Sequence, residues 1–222
     1  MAALNLPNIL TILRLLAAPG IVVAFLLLPR PYADWTALIL FLAASLTDWI
    51  DGQLARAWKQ ETKLGAMLDP IADKAIVLSA LLALAAIWQP VFWIILPAAL
   101  IVFREVFVSG LREFLGDVAG TLKVTQLAKW KTTIQMIAIG VLLAKGIVEH
   151  GLFDRIVGLD QTIYDAIVSG REQDVLGINW RIQMIDALRY GGIALLWLAA
   201  VLTVITGYDY FRKALPHLMG PK

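Results

Sequence analysis

The sequence has no cysteine, only two histidines and little charge: 16% of its 222 residues are Asp, Glu, Lys or Arg, and 19 cations against 17 acids leave a net charge of +2. Each shortage excludes a class of protein. Without cysteine there is no disulfide framework, no thiolate nucleophile and no zinc–thiolate site. His150 and His217 stand alone, and neither is placed for catalysis. A net charge of +2 is too weak a field for a nucleic-acid binder, which must neutralise many phosphates. What is plentiful is apolar: 60% of the residues, with a mean hydropathy of +0.77. Soluble domains run at about 45–50% apolar and about 25% charged, so the solvent for this surface is lipid.

A bilayer core about 30 Å thick takes roughly 20 mainly apolar residues per helix. Parsed at that length, the chain yields six spans, near 9–28, 33–50, 71–89, 91–109, 132–148 and 188–206. The expectation is an all-α integral membrane protein with six transmembrane helices, forming one domain over 1–222. No basic segment precedes the first apolar run and no small-residue cleavage site follows it, so the first span is expected to be retained. With the N-terminus inside, 13 of the 19 Lys and Arg residues fall on the inner side, which places both termini in the cytoplasm. The stretch at about 149–187 becomes an atypical extracytoplasmic loop, acidic through Glu149, Asp154, Asp160, Asp165, Glu172, Asp174 and Asp186. It reads as a small interfacial helix pair or a disordered excursion. Most of the eight Trp residues fall near the expected interfaces, as in aromatic belts.

An acid within a spanning helix costs on the order of 2.5–3.5 kcal/mol on insertion scales, so chemistry is expected where that rule is broken. Residues 47–74 break it repeatedly: TDWIDGQLARAWKQETKLGAMLDPIADK. Asp48 and Asp51 share one helix face at i, i+3, and Asp69 and Asp73 share another at i, i+4. Four carboxylates brought together by a short connection repel one another, and divalent ions are the natural compensation. Oxygen ligands without nearby His or Cys select magnesium, manganese or calcium over zinc or copper. Two such ions would clamp the attacking and leaving oxygens of a phosphoryl displacement. Gly52, Ala55 and Gly65 lack the bulk to keep a ligand from the backbone, and the Arg56 guanidinium suits a pyrophosphate. Taken singly, Asp69 before Pro70 also fits a helix N-cap with proline at the first helical position.

In this order and spacing, Asp48, Asp51, Gly52, Ala55, Arg56, Gly65, Asp69 and Asp73 match the signature D-x2-D-G-x2-A-R-x8-G-x3-D-x3-D. The chain thereby resembles the CDP-alcohol phosphotransferases. The wider sequence resembles the bacterial branch that makes phosphatidylglycerophosphate, in Asn5 to Thr11, Arg14, the LDPIADK run, Arg104-Glu105 to Arg112-Glu113, and Lys129-x-Lys131-Thr132. The likeness covers about 4–148 and 188–213, and the 149–187 segment departs from it.

The resemblance implies a six-helix enzyme of the bacterial inner membrane, its site facing the cytoplasm. It would transfer a phosphatidyl group from CDP-diacylglycerol to glycerol 3-phosphate and release CMP. It further implies two divalent cations, Mg or Mn, held by Asp48, Asp51, Asp69 and Asp73, with Asp73 also taking the acceptor proton. Gly52, Ala55, Arg56 and Gly65 would line the CDP site, and two copies would pair as a homodimer.

Other residues are read from position. Asn8, Thr11 and Arg14 recur at i, i+3, i+6 on the first helix, within reach of a nucleotide or headgroup, or as an N-terminal cap and a snorkelling cation. Arg104, Arg112, Lys123, Lys129 and Lys131 supply excess positive charge on the inner side, which favours a phosphorylated acceptor over choline, serine or ethanolamine. The alternatives are a sister enzyme taking inositol phosphate, serine or phosphatidylglycerol, and, more remotely, a divalent-cation transporter. A transporter predicts acids at mid-membrane and in both leaflets, whereas these cluster at one face.

Overall fold

The computed structural model describes residues 6–58, 62–88, 92–122 and 126–219, and among them there is helix and no strand. The helices are α1 (Leu6–Leu27), α2 (Tyr32–Trp58), α3 (Lys63–Ile87), α4 (Phe92–Leu115), α5 (Gln126–Ile156), α6 (Gln161–Val168) and α7 (Ile178–Leu218), with a 3-10 turn at Gly116–Thr121 after α4. Five are long and apolar enough to cross a membrane: Asn8–Leu27, Lys63–Ile87, Phe92–Leu115, Gln126–Ile156 and Ile178–Leu218. The second of the six expected spans falls on Tyr32–Thr47, an apolar stretch shorter than the others. Large apolar side chains lie outward, among them Leu16, Leu26, Leu82, Phe103 and Val106. Such a surface is costly in water and ordinary in lipid.

The helices overrun the expected spans because an apolar window stops at polar residues that a helix tolerates. α3 begins at Lys63, so Asp69 and Pro70 lie inside it. The N-cap reading of Asp69 is therefore corrected: the helix has already made a full turn and more before reaching it. α7 is 41 residues long, about 60 Å at 1.5 Å per residue, twice the bilayer core. Its first turn is fixed by Asp174, whose carboxylate accepts from the backbone N–H of Ile178 (2.7 Å) and Asn179 (2.8 Å).

Within 149–187 the chain holds the end of α5, the short α6 and the start of α7. Asp160 caps α6, accepting from the Thr162 backbone N–H at 2.8 Å and from the Thr162 hydroxyl. Those bonds, the hydroxyl first, hold the Asp160 carboxyl below its ordinary value. α6 ends at Val168 with Ser169 as its C-cap, and Gly170 follows with a φ of 74° that is open to glycine. There the Arg171 N–H reaches back to Ala166 O at 2.8 Å, closing the helix in a Schellman arrangement.

The chain forms two compact units, Met1–Leu84 with Ile139–Gly192, and Ala85–Ala138 with Ile193–Lys222. The first is packed through small residues. Ala18, Ala24, Ala33, Ala37, Ala44, Ala72 and Ala80 are all buried, and Phe41, Ile21 and Ile76 fill between them. Lipid offers no hydrophobic drive between helices, so close backbone approach through small side chains is what holds them together. The second is built on α4, the start of α5 and the end of α7. There Trp197 Nε1 donates to Trp93 O at 3.2 Å, and Phe107 packs on Phe211.

Candidate functional site

In the first unit, the start of α1 meets the start of α3. Thr11 Oγ1 donates to Asp69 Oδ1 at 2.7 Å, and an Arg14 guanidinium nitrogen stands 3.5 Å from the same oxygen. Thr11 and Arg14 are buried, while the Asp69 side chain is half exposed. Among the described residues no partner takes Asp69 Oδ2. One turn earlier, Thr62 Oγ1 donates to Asn8 Oδ1 at 2.9 Å and accepts from the Gly65 N–H at 3.0 Å. A Cβ at Gly65 would come within 2.8 Å of Asn8 Oδ1. A methyl group there would have to displace the Asn8 side chain that Thr62 bonds.

The periodic set Asn8, Thr11 and Arg14 therefore lies along α3, where its side chains serve Thr62, Gly65 and Asp69. Thr11 acts through Asp69: its donated hydrogen bond fixes which carboxylate oxygen faces α1. The sequence leads one to expect a cation at Asp69, and groups that orient a metal ligand are usually worth about 10–100-fold in affinity or activity. Thr11→Val, which keeps the shape and removes the donor, is accordingly expected to lower the initial rate about 10–100-fold without changing the melting temperature by more than a few degrees.

Asp73 follows on α3 one turn after Asp69 and is partly buried. The backbone of Asp48, Asp51, Gly52, Ala55 and Arg56 lies in α2, and their side chains lie outside the described residues. Asp48 and Asp51 thus stand one turn apart on a helix, as their spacing predicts. Among the described residues no cluster of three or more His, Cys, Asp or Glu side chains forms a metal site. Of the four carboxylates, Asp69 and Asp73 are the two whose side chains are described. The donor set suits a hard cation nonetheless: Asp69 offers a half-exposed carboxylate, one oxygen of which is tied to Thr11.

Beside this site runs an apolar groove of about 430 Å³ between α1 and α2. It is lined by Leu13, Ala17 and Gly20 on one wall and Leu40, Ala43 and Ala44 on the other, with Arg14 and Thr47 toward its end. Small residues open the groove, and Arg14 belongs both to it and to the Asp69 site.

The second unit gathers most of the expected acceptor cations. Lys131 is buried and pairs with Glu105 at 2.5 Å, and Arg104 donates to the same oxygen at 3.3 Å. Arg104 crosses α7 where Gly207 leaves room, since a Cβ there would meet Arg104 Cγ at 2.9 Å. Arg112 sits 5.4 Å from the Tyr210 ring centroid, a cation–π contact. Lys129 is exposed on α5, away from that cluster's buried side, and Lys123 lies outside the described residues. Arg104 and Glu105 are adjacent in the sequence. The structure adds Lys131, 26 residues away, a partnership with no local signal.

The chain matches the family model described as CDP-alcohol phosphatidyltransferase over residues 4–170. It is similar to proteins named CDP-diacylglycerol--glycerol-3-phosphate 3-phosphatidyltransferase from several bacteria. It is 54% identical to the one from Cereibacter sphaeroides over 218 residues, 98% of this chain and 99% of that protein. It is 35% identical to the one from Pectobacterium atrosepticum over 219 residues, 98% of each. To the one from Escherichia coli K12 it is 32% identical over 217 residues, 97% of each.

Proposed function

The chain belongs to the CDP-alcohol phosphatidyltransferase family, and on that premise we propose that it transfers the phosphatidyl group of CDP-diacylglycerol to glycerol 3-phosphate. The acceptor hydroxyl oxygen forms a bond to the β-phosphorus, the bond from that phosphorus to the CMP oxygen breaks, and the hydroxyl proton passes to Asp73. CMP leaves and phosphatidylglycerophosphate remains in the membrane. The full-length identity to enzymes named for this reaction carries the reading.

Two divalent ions, Mg or Mn, held by Asp48, Asp51, Asp69 and Asp73 would neutralise charge on the pyrophosphate and on departing CMP. Thr11 and Arg14 orient Asp69, and Asn8 with Gly65 sets the approach of α1 that brings them there. Gly52, Ala55 and Arg56 serve the CDP moiety, as the signature implies. Arg104, Arg112 and Lys131 take the acceptor phosphate, with Lys123 and Lys129 adding to the local field. The groove between α1 and α2 receives an acyl chain of the lipid substrate: it is apolar and shares Arg14 with the Asp69 site.

Purified protein with magnesium, CDP-diacylglycerol and a panel of alcohols is expected to release CMP with glycerol 3-phosphate and far less with inositol phosphate, serine or phosphatidylglycerol. Release with another acceptor alone would reassign the enzyme, and release with none would return the reading to a transporter. In the same assay Ala43→Trp, which fills the groove, should blunt the advantage of long-chain over short-chain donor. An unchanged chain-length response would remove the groove from the reading.

The proposed topology has both termini in the cytoplasm of a bacterial inner membrane, with Tyr32–Thr47 of α2 completing six spans and α6 on the outer side. A chain without cysteine makes the check direct. A single cysteine at Gln161 should react with an impermeant maleimide in intact cells, and one at Met219 only after lysis. The reverse pattern would invert the topology.

A further inference from the structure

The second unit carries neutral polar groups that the reaction as described does not use. Gln135 on α5, and Thr203 and Tyr210 on α7, are each more than nine-tenths buried. Among the described residues, Gln135 Oε1, Thr203 Oγ1 and Tyr210 Oη have no hydrogen-bond partner. Leaving such a group unsatisfied costs about 1–3 kcal/mol, and three in one small helical unit is a large concession for a protein with apolar alternatives. Valine and phenylalanine would fill the positions of Thr203 and Tyr210 at no such cost.

Register ties the three to the cationic cluster. Gln135 is one turn from Lys131 on the same face of α5. Thr203 and Tyr210 are i, i+7 on α7 and flank Gly207, across which Arg104 passes. Tyr210 carries Arg112 against its ring, and Arg104 joins Lys131 through Glu105. Arg104, Arg112 and Lys131 stand with Glu105 and with Glu113, the sequence neighbour of Arg112, so three cations share the unit with two carboxylates. The unit therefore offers cations for a phosphate and, one turn away, neutral groups for hydroxyls.

We infer that Gln135, Thr203 and Tyr210 form the hydroxyl-recognising part of the acceptor site, selecting a small polyol phosphate by its non-reacting hydroxyl. The inference rests on the proposed reaction and adds to it the groups that set acceptor identity. A buried site built to bond a hydroxyl discriminates strongly against an analogue lacking it, because the site's own polar atoms are then left unpaired.

The test compares glycerol 3-phosphate with 3-hydroxypropyl phosphate, which keeps the phosphate and the primary hydroxyl and lacks the secondary one. The parent enzyme should prefer glycerol 3-phosphate in kcat/KM. The double variant Thr203→Val/Tyr210→Phe should raise KM for glycerol 3-phosphate at least about fivefold and erase most of the preference. KM for CDP-diacylglycerol should stay within about twofold, and the substrate-free melting temperature should hold or rise. A preference that survives the double variant overturns the inference. So does a lowered melting temperature, which would show that the groups hold the fold together. If the parent releases no CMP with glycerol 3-phosphate, the reaction proposed above fails instead.

Discussion

Asp73→Asn is expected to abolish CMP release while leaving measurable binding of CDP-diacylglycerol. Asparagine keeps the size of the side chain and one of its oxygens, so α3 should form as before. What it loses is negative charge and the capacity to take a proton. General acid–base groups typically contribute about 10²–10⁴-fold, so the rate should fall at least into that range even with saturating magnesium. Asp69→Asn should behave differently. Asp69 is held through Oδ1 by Thr11 and Arg14, and an amide in its place weakens the hold on a cation. The expected signature is a raised magnesium requirement that excess metal partly restores. A carboxylate that binds metal tightly has a depressed proton affinity, so one ligand must be held more loosely to act as a base. The contrast between the two variants assigns that role. If Asp73→Asn stays within tenfold of the parent at saturating magnesium, Asp73 is not the base. If magnesium rescues both variants equally, the two carboxylates share one function.

How much of this was legible in the residues depends on the range of the interaction. The acid-rich signature is local, and its i, i+3 and i, i+4 spacings survive as single turns of α2 and α3. The membrane class follows from composition, and five helices long and apolar enough to cross a membrane accord with it. Helix ends were harder, because Asn179, Arg181 and Asp186 stop an apolar window without stopping α7. The alternative reading of Asp69 as an N-cap falls for a related reason: proline tolerated within the early turns of a helix looks the same in sequence as proline at its first position. Partnerships across the chain left least trace. Nothing near Lys131 announces Glu105, and nothing near Gly65 announces Asn8. Periodicity put Asn8, Thr11 and Arg14 on one face, but which helix they face is a property of the fold.

Gly146→Ala is expected to be among the most damaging single-methyl changes in the protein, through an ion pair that no part of the reaction uses. Arg30 binds Asp34 in a fork, Nε to Oδ2 at 2.7 Å and a terminal nitrogen to Oδ1 at 2.6 Å. That hydrogen-bonded carboxylate raises the proton affinity of the Arg30 guanidinium. Asp34 is 1% exposed and Arg30 37%, so the pair is asymmetric: the arginine can turn to water and the aspartate cannot. Gly146 on α5 packs against the fork, where a Cβ would overlap Asp34 Oδ1 and lie 2.6 Å from the arginine nitrogen. A methyl group must therefore move α5 or open the pair. Breaking a buried pair costs about 3–5 kcal/mol, and Arg30's access to solvent argues for the lower end. About 3 kcal/mol corresponds to a loss of about 6–12 °C in melting temperature for a chain of this size. The mechanism makes a second demand. Once the methyl has opened the fork, removing the charge should cost little more, so Asp34→Asn added to Gly146→Ala should be far from additive. Additive losses, or a Gly146→Ala protein that melts with the parent, would show that α5 yields around the methyl and the fork stays closed.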